Sequence, residues 1–368
     1  MGYFQSISLK NYRNFLNSSF EFNERCNVIV GKNGSGKTNI LESISLFEKG
    51  RGFRKEKILN LINFQNNDLN FKIHSKFYHN NNDYDVQIFN DKKIEKNSKK
   101  ILINDSSDPS SLKHFQNLLS FIYFLPEMER LFVSSPSMRR NFIDRLIYTN
   151  NKNYNSLINR YKNSIIERYK ILKNPVFDKD WIDQLEKNIV IFGSEIYQKR
   201  LEQIKIINLI LSKLNISKQF SHKFLLKIND SLLENNPNIY TFDQHLFSLE
   251  LKKNRKIDCI TGGCGIGPHR SDINGYKIDN NFNINQLSTG QQKTVILLII
   301  IAQCKYLITQ SNLSPIILLD EVCSHLDNEN RELLMYLIDE LEVQVFMTGT
   351  EKNFFSFLST KAHYCNIT

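Results

Sequence analysis

The sequence predicts an α/β protein in which a mixed sheet with helices is assembled from both ends of the chain around an inserted helical domain. Three observations predict it. The apolar run Cys26-Asn-Val-Ile-Val30 feeds a glycine-rich stretch, Gly31–Thr38, and then an amphipathic helix pattern. Far downstream a second apolar run, Ile316–Leu319, ends in two acids. Between them the pattern changes from alternation to helical spacing, so strands and helices are segregated along the chain.

Residues 3–10 alternate apolar and polar, as do 18–22 around Phe20 and Phe22, which reads as two half-buried antiparallel strands. The run 26–30 reads as a buried strand, and further strands are expected at 71–78, 84–90 and 100–103. Asn/Asp-rich pieces such as His79–Asp83 read as the turns between them. From Pro136 the spacing is helical: Tyr154, Leu157, Ile158, Tyr161, Ile165 and Tyr169 share one face, and Trp181, Leu185, Ile189 and Phe192 repeat it beyond Pro175. Two antiparallel helices with an aromatic stripe as their common core are expected. After about residue 235 the chain reads as α/β again, with Val295–Ile301 an apolar helical run. The expected division is a head from 1–125 and 235–368, with the helical domain at 126–234.

Composition narrows the function classes. The chain is 41% hydrophobic with a mean hydropathy of −0.38, and charge interrupts each apolar run before the ~18 residues of a membrane span, so a soluble protein is expected. Met1–Gln5 lacks the features of a secretory signal, and Gly2 reads as the start of a strand rather than an acylation site. Cys26, Cys259, Cys264, Cys304, Cys323 and Cys365 show no CxxC spacing, which predicts reduced thiols in a cytoplasmic protein. Lys plus Arg number 48 against 38 Asp plus Glu, a net +10 with a pI near 9.1, which suits a polyanion such as nucleic acid. The chain is also rich in Asn, Ile, Phe and Tyr, the residues that an AT-biased genome over-uses together with Lys. Charge alone therefore does not decide the partner.

The motifs carry more. Gly31-Lys32-Asn33-Gly34-Ser35-Gly36-Lys37-Thr38 fits GxxxxGK[ST] in full, between an expected strand and an expected helix. In that pattern glycines let backbone N–H groups close around phosphates, Lys37 reaches the β and γ oxygens of ATP, and the Thr38 hydroxyl ligates Mg2+. At the end of Ile316–Leu319, Asp320 is placed to hold the magnesium and Glu321 to polarise an attacking water. Between them, Leu287-Ser288-Thr289-Gly290-Gln291-Gln292-Lys293 opens the apolar helix. It resembles the signature sequence of ABC-type ATPases, in which Ser288, Gly290 and Gln291 would face a nucleotide held by another subunit. A serine-capped helix start has the same form. What separates the two is the context, Asp320-Glu321 and then Ser324-His325-Leu326-Asp327, which resembles the D-loop of those proteins. Where transporter ATPases usually carry a histidine, after the strand Gln344–Met347, this chain has Thr348.

Three further stretches bring the resemblance down to one family. The chain is similar to the RecF family in Gly50-Arg51-Gly52-Phe53-Arg54, in Phe124-Leu-Pro126-Glu127 followed by Ser135-Pro136-Ser-Met-Arg139-Arg140, and in Gly267-Pro268-His269-Arg270 ahead of Asp272. Gly52, Met128 and Ser271 depart from the family pattern. The resemblance implies an ABC-type head and a slow, DNA-stimulated ATPase that dimerises on ATP. It also implies binding to single-stranded DNA and to double-strand/single-strand junctions, and action with the RecO and RecR proteins in loading recombinase at gaps. Arg51, Arg54, Arg139, Arg140 and Arg270 are the expected DNA phosphate contacts. The rival readings are a transporter subunit, which would need a membrane partner, a non-catalytic ATP-gated clamp, and another ABC-type chromosome-maintenance ATPase. The cohesion class needs long coiled-coil arms, whereas a helix of ~35 residues reaches only about 50 Å.

Overall fold

The structure is a computed structural model, and it describes residues 2–63, 65, 70–91, 98–174, 178–214, 223–234, 242–323 and 327–367. Its strands are β1 Gly2–Tyr12, β2 Phe15–Glu21, β3 Cys26–Gly31, β4 Lys72–His79, β5 Asn82–Asp91, β6 Ser98–Ile103, β7 Phe121–Phe124, β8 Phe224–Asn229, β9 Asp272–Lys277, β10 Ile316–Leu319, β11 Gln344–Gly349 and β12 His363–Ile367. The α-helices are α1 Lys37–Ser45, α2 Pro109–Leu118, α3 Pro136–Asn150, α4 Tyr154–Leu172, α5 Lys179–Lys213, α6 Ser231–Glu234, α7 Gln244–Lys253, α8 Arg255–Thr261, α9 Thr289–Gln310 and α10 Asn328–Asp339. The fold is the mixed α/β head expected from sequence.

Two compact units share the chain. The first combines Met1–Glu129 with Lys293–Thr368, and the second is Arg130–Gln292. In the first unit an antiparallel sheet, β2-β1-β4-β5-β6, lies with a parallel sheet, β12-β3-β11-β10-β7. β7 and β10 are uninterrupted apolar runs because both their faces are covered, and β11 is likewise buried at every position. β1 instead alternates, and a bulge between Phe4 and Ser6 shifts the phase so that Phe4, Ile7 and Leu9 all point inward. Phe4 packs against Phe47, Phe77 and Phe121 at ring-centroid distances of 5.3, 5.0 and 6.2 Å. The buried Gln344 side chain ties the two ends of the chain together, accepting from the Phe4 N–H at 2.8 Å and donating to the Phe4 and Asn23 carbonyls, each at 2.8 Å. The Asn-rich turns form as expected: Asn80 and Asn81 both have positive φ (47° and 63°), the requirement of a two-residue hairpin. Helix α2 and strand β7 were not read from sequence, because Phe121–Phe124 is too short an apolar run to tell a strand from part of a helix.

In the second unit α4 and α5 pack together, burying Tyr154, Leu157, Tyr161 and Arg168 of one and Ile182, Leu185 and Ile189 of the other. Trp181, expected in that stripe, is 55% exposed, since the buried face of α5 begins one residue later at Ile182. The unit also reaches further than the expected boundary at 234. Strand β8 pairs with β9 over six residues, and both pack on helices of the unit, so 235–292 belongs with the insertion rather than the head. Among the described residues one helix, Thr289–Gln310, is long and apolar enough to cross a membrane, and 78% of its most apolar 18-residue stretch is buried within the protein.

Candidate functional site

All strands of the parallel sheet run the same way, so the C-terminal ends of β3, β11 and β10, which are adjacent in that order, form one edge. Each strand delivers one polar element there. From β3 the chain enters Gly31–Thr38, with Gly34 and Gly36 at φ +83° and +105°, a backbone that other residues rarely adopt. Gly36 has a second reason to lack a side chain, because a Cβ there would fall 2.6 Å from Asn14 Oδ1 and 2.8 Å from Phe15. Lys37, at the start of α1, is buried and donates from Nζ to the Gly31 and Lys32 carbonyls at 2.8 and 3.0 Å. Lys32, Asn33 and Gly34 are exposed at the crest of the loop.

Thr38 Oγ1 donates to Asp320 Oδ1 at 3.1 Å, bringing together residues 282 apart in sequence. Thr348, fully buried at the end of β11, donates to the same Oδ1 at 2.6 Å and accepts the Glu321 N–H at 2.8 Å. Glu321 lies in the left-handed region at φ +51°, with its side chain exposed at the site. Thr348 therefore holds both acids from the intervening strand: one hydroxyl donates to Asp320 and accepts from the backbone of Glu321. The oxygens of Thr38 and Asp320 are hard donors of the kind a magnesium ion takes one or two at a time, the rest of its shell coming from phosphate and water.

Sequence reasoning missed the support behind the loop. Asn14 Nδ2 donates to the Ser35 carbonyl at 2.8 Å, Asn39 donates to Asn14 Oδ1 at 2.8 Å, and Arg54 donates to Asn39 Oδ1 at 2.9 Å. Glu42, wholly buried on the inner face of α1, accepts from Arg13 Nε and Nη2 at 2.9 and 2.7 Å. The signal available was the pair of turn residues Arg13-Asn14 after β1, with Arg13 at φ +52°.

The signature stretch lies at the end of the second unit. Ser288 Oγ accepts the Gln291 N–H and Gln291 Oε1 accepts the Ser288 N–H, both at 3.3 Å, a reciprocal cap at the N-terminus of α9, where Ser288 and Thr289 are exposed and Gly290 is half-buried. Asp327 caps α10 by accepting the Asn330 N–H at 2.8 Å, while Ser324, His325 and Leu326 lie outside the described residues.

Of the five arginines expected to meet DNA, the structure corrects one. Arg139 is buried, its Nε and Nη2 paired with the two Asp272 oxygens at 2.8 and 2.9 Å and its Nη1 given to the Phe132 and Ser134 carbonyls. Its donors are consumed inside the unit, so it fastens α3 to β9 and is not a phosphate contact. Arg51 and Arg270 are exposed, Arg54 is exposed and anchored on Asn39, and Arg140 is half-buried with Nη1 on the Ser271 carbonyl at 2.6 Å. Ser271 itself is buried, accepting from Arg200 at 3.1 Å, Met128 packs against the head core, and Gly52 has φ +67°.

Residues 3–364 match the family described as RecF/RecN/SMC N terminal domain. The chain is 31% identical to the DNA replication and repair protein RecF of Rickettsia prowazekii (strain Madrid E), over 98% of both chains. It is 30% identical to the protein of the same description in Rickettsia typhi (strain ATCC VR-144 / Wilmington), again over 98% of each. Among solved structures, the recombination mediator protein RecF superposes with a TM-score of 0.79 at 24% identity, covering 96% of this chain and 94% of that one. An Smc head domain from Pyrococcus furiosus superposes with a TM-score of 0.54 at 17% identity, covering 97% and 92%.

Proposed function

The chain belongs to the RecF/RecN/SMC N-terminal domain family and, within it, to the RecF proteins, and on that premise we propose that it is an ATP-dependent DNA-binding protein of replication and gap repair. The observation that carries this reading is the meeting of Lys37, Thr38, Asp320 and Glu321 at one sheet edge, with Thr38 and Asp320 only 3.1 Å apart.

In this reading Gly31–Thr38 wraps the ATP phosphates with backbone N–H groups, and Lys37 places its charge against the β and γ oxygens. Thr38 and Asp320 would hold Mg2+, which neutralises phosphate charge when bound. Glu321 orients and deprotonates the attacking water, its backbone fixed by Thr348. Ser288, Gly290 and Gln291, with Asp327, close over nucleotide held by a second copy, so ATP drives a homodimer and hydrolysis releases it. The family relationship and the +10 charge support DNA as the partner, single-stranded or at a junction, held through phosphates by Arg51, Arg54, Arg140 and Arg270. RecO and RecR as partners, recombinase loading, and a cytoplasmic location are part of the same proposal, supported by the family membership.

Steady-state ATP turnover with and without gapped DNA tests the reading. Lys37→Met should weaken ATP binding and abolish turnover, while Glu321→Gln should keep ATP and lose turnover by at least about a hundredfold. Normal turnover by Glu321→Gln would remove the base from the mechanism, and a wild-type protein that bound no ATP would end the proposal.

A further inference from the structure

A cavity of about 290 Å³ opens in the second unit, none of its lining residues belongs to the nucleotide-site motifs, and several of them carry charge. Four segments converge on it: the first turns of α3 give Arg140, α4 gives Tyr161 and Lys162, α5 gives Arg200, and the loop before β9 gives His269. Tyr161 and Arg200 are buried at its floor, and Lys162 is exposed at its rim.

The lining is not electrically balanced. The one carboxylate facing the cavity, Asp144, is already satisfied: Arg200 binds both its oxygens at 2.8 Å and the Tyr154 hydroxyl donates to Oδ1 at 2.8 Å. That pair cancels one cation and leaves Arg140 and Lys162. Arg140 rests on the Ser271 carbonyl, a neutral acceptor, and neither it nor Lys162 makes an ion pair among the described residues. His269 adds no countercharge. Its Nε2 faces the Cys264 carbonyl at 2.8 Å, and a carbonyl only accepts, so Nε2 carries the proton and Nδ1 accepts from the Tyr161 hydroxyl at 2.7 Å. Burial and then the nearby arginines hold the ring's pKa below its usual value, and burial and then Arg200 do the same for Arg140. Burial is the larger cause for both, and at Arg140 the carboxylates of Asp144 and Asp272 act against it, so an anion beside Arg140 would further offset the cost of burying its charge.

We propose that this cavity is a binding site for a single phosphate group, with Arg140 and Lys162 as its cationic donors and the Arg200–Asp144 pair as a rigid floor. The volume lies at the lower bound of about 300–1,000 Å³ for ligand pockets, which suits one phosphoryl group and the few carbons it esterifies better than a whole nucleotide. The phosphate belongs either to a nucleic-acid strand or to a small ester. If to a strand, the site deepens the DNA-binding reading and rests on it.

Two measurements on the full chain test it. Crystals soaked in tungstate should show the anion beside Arg140, and the peak should vanish in Arg140→Gln. Anisotropy with labelled single strands supplies the second. Arg140→Gln and, separately, Lys162→Gln should each weaken binding about tenfold, the scale of one charge-assisted contact, while Lys170→Gln on the same helix as Lys162 should not. A preference for a 5′-phosphorylated strand over a 5′-hydroxyl one, lost in Arg140→Gln, assigns the site to a terminal phosphate. Equal affinity for the two, reduced equally by the substitutions, assigns it to a backbone phosphate. Tungstate bound at Arg140 without any strand affinity keeps the site, assigns it to a small ester, and removes the DNA reading. No tungstate at Arg140, with strand affinity unchanged in both Gln variants, overturns the proposal while leaving the DNA reading standing. Lys162 is exposed, so its variant answers the question even if Arg140→Gln fails to fold.

Discussion

At the scale of single residues the site turns on one carboxylate oxygen. Asp320 Oδ1 accepts from Thr38 and from Thr348, and the Thr348 hydroxyl also takes the Glu321 N–H, so a threonine in the first turn of α1 and one at the end of β11 fix the positions of both acids. Glu321 sits in the left-handed region, which costs a non-glycine residue of order 1 kcal/mol or more and persists only when neighbours hold it. Thr348→Val keeps the shape and removes the hydroxyl, leaving the part-buried Glu321 N–H without its acceptor and Asp320 Oδ1 without one of its donors. It should destabilise the protein by about 1–3 kcal/mol in urea unfolding. Turnover should fall roughly tenfold or more with ATP affinity little changed, because the Lys37 loop is untouched. Thr348→Ser retains the hydroxyl and should recover most of both. Equal turnover in the Val and Ser variants would reduce Thr348 to a core residue. Lys37 and Asp320 were readable as motif positions, but nothing in the residues around Thr348 announced that it reaches both acids.

At the scale of elements, the helical pair α4–α5 is held by a buried ion network as well as by its aromatic stripe. Arg168, 1% exposed, donates to Glu186 Oε1 at 2.9 Å, Asp258 Oδ2 at 2.6 Å and the Leu251 carbonyl at 2.9 Å, and Arg255 reaches Glu186 Oε2 at 2.6 Å. One guanidinium thus joins α4, α5, α7 and α8. Arg168→Met fills the space but strands Glu186 and Asp258 as partly uncompensated buried acids, and should cost about 3–5 kcal/mol in urea unfolding. The loss should be relieved by adding Glu186→Gln and Asp258→Asn, whereas a pure packing defect would worsen with them. The helical spacing of 154–169 was legible because an amphipathic face repeats along the chain itself. That Arg168 sits inside that face was not, since an arginine becomes a core residue only when acids from other helices arrive to pair with it.

At the scale of the molecule, the chain is two units, with the phosphate loop in the first and the signature at the end of the second. If the nucleotide site is shared between copies, Ser288→Arg should leave ATP binding by the monomer nearly intact and abolish both dimerisation and hydrolysis. Mixed in equal amounts with Lys37→Met, it should regain part of the wild-type rate, because one of the two sites of a mixed dimer combines a sound Lys37 with a sound Ser288. Sedimentation with ATP reports the dimer independently of turnover. Normal hydrolysis by Ser288→Arg, with wild type monomeric in ATP, would leave only the phosphate loop of this reading. The sequence by itself determined the α/β class, the phosphate loop, the paired acids, the capped signature helix and the family, because each is a local pattern whose chemistry depends on spacing along the chain. Only the tertiary structure decided that Thr348 binds both acids, that Arg139 is spent on Asp272, that 235–292 pairs with the insertion through β8 and β9, and that Arg140 and Lys162 share a cavity. Those outcomes depend on which distant groups meet, and a side chain's charge or hydrogen-bonding capacity does not reveal whether it is spent until its partner is in place.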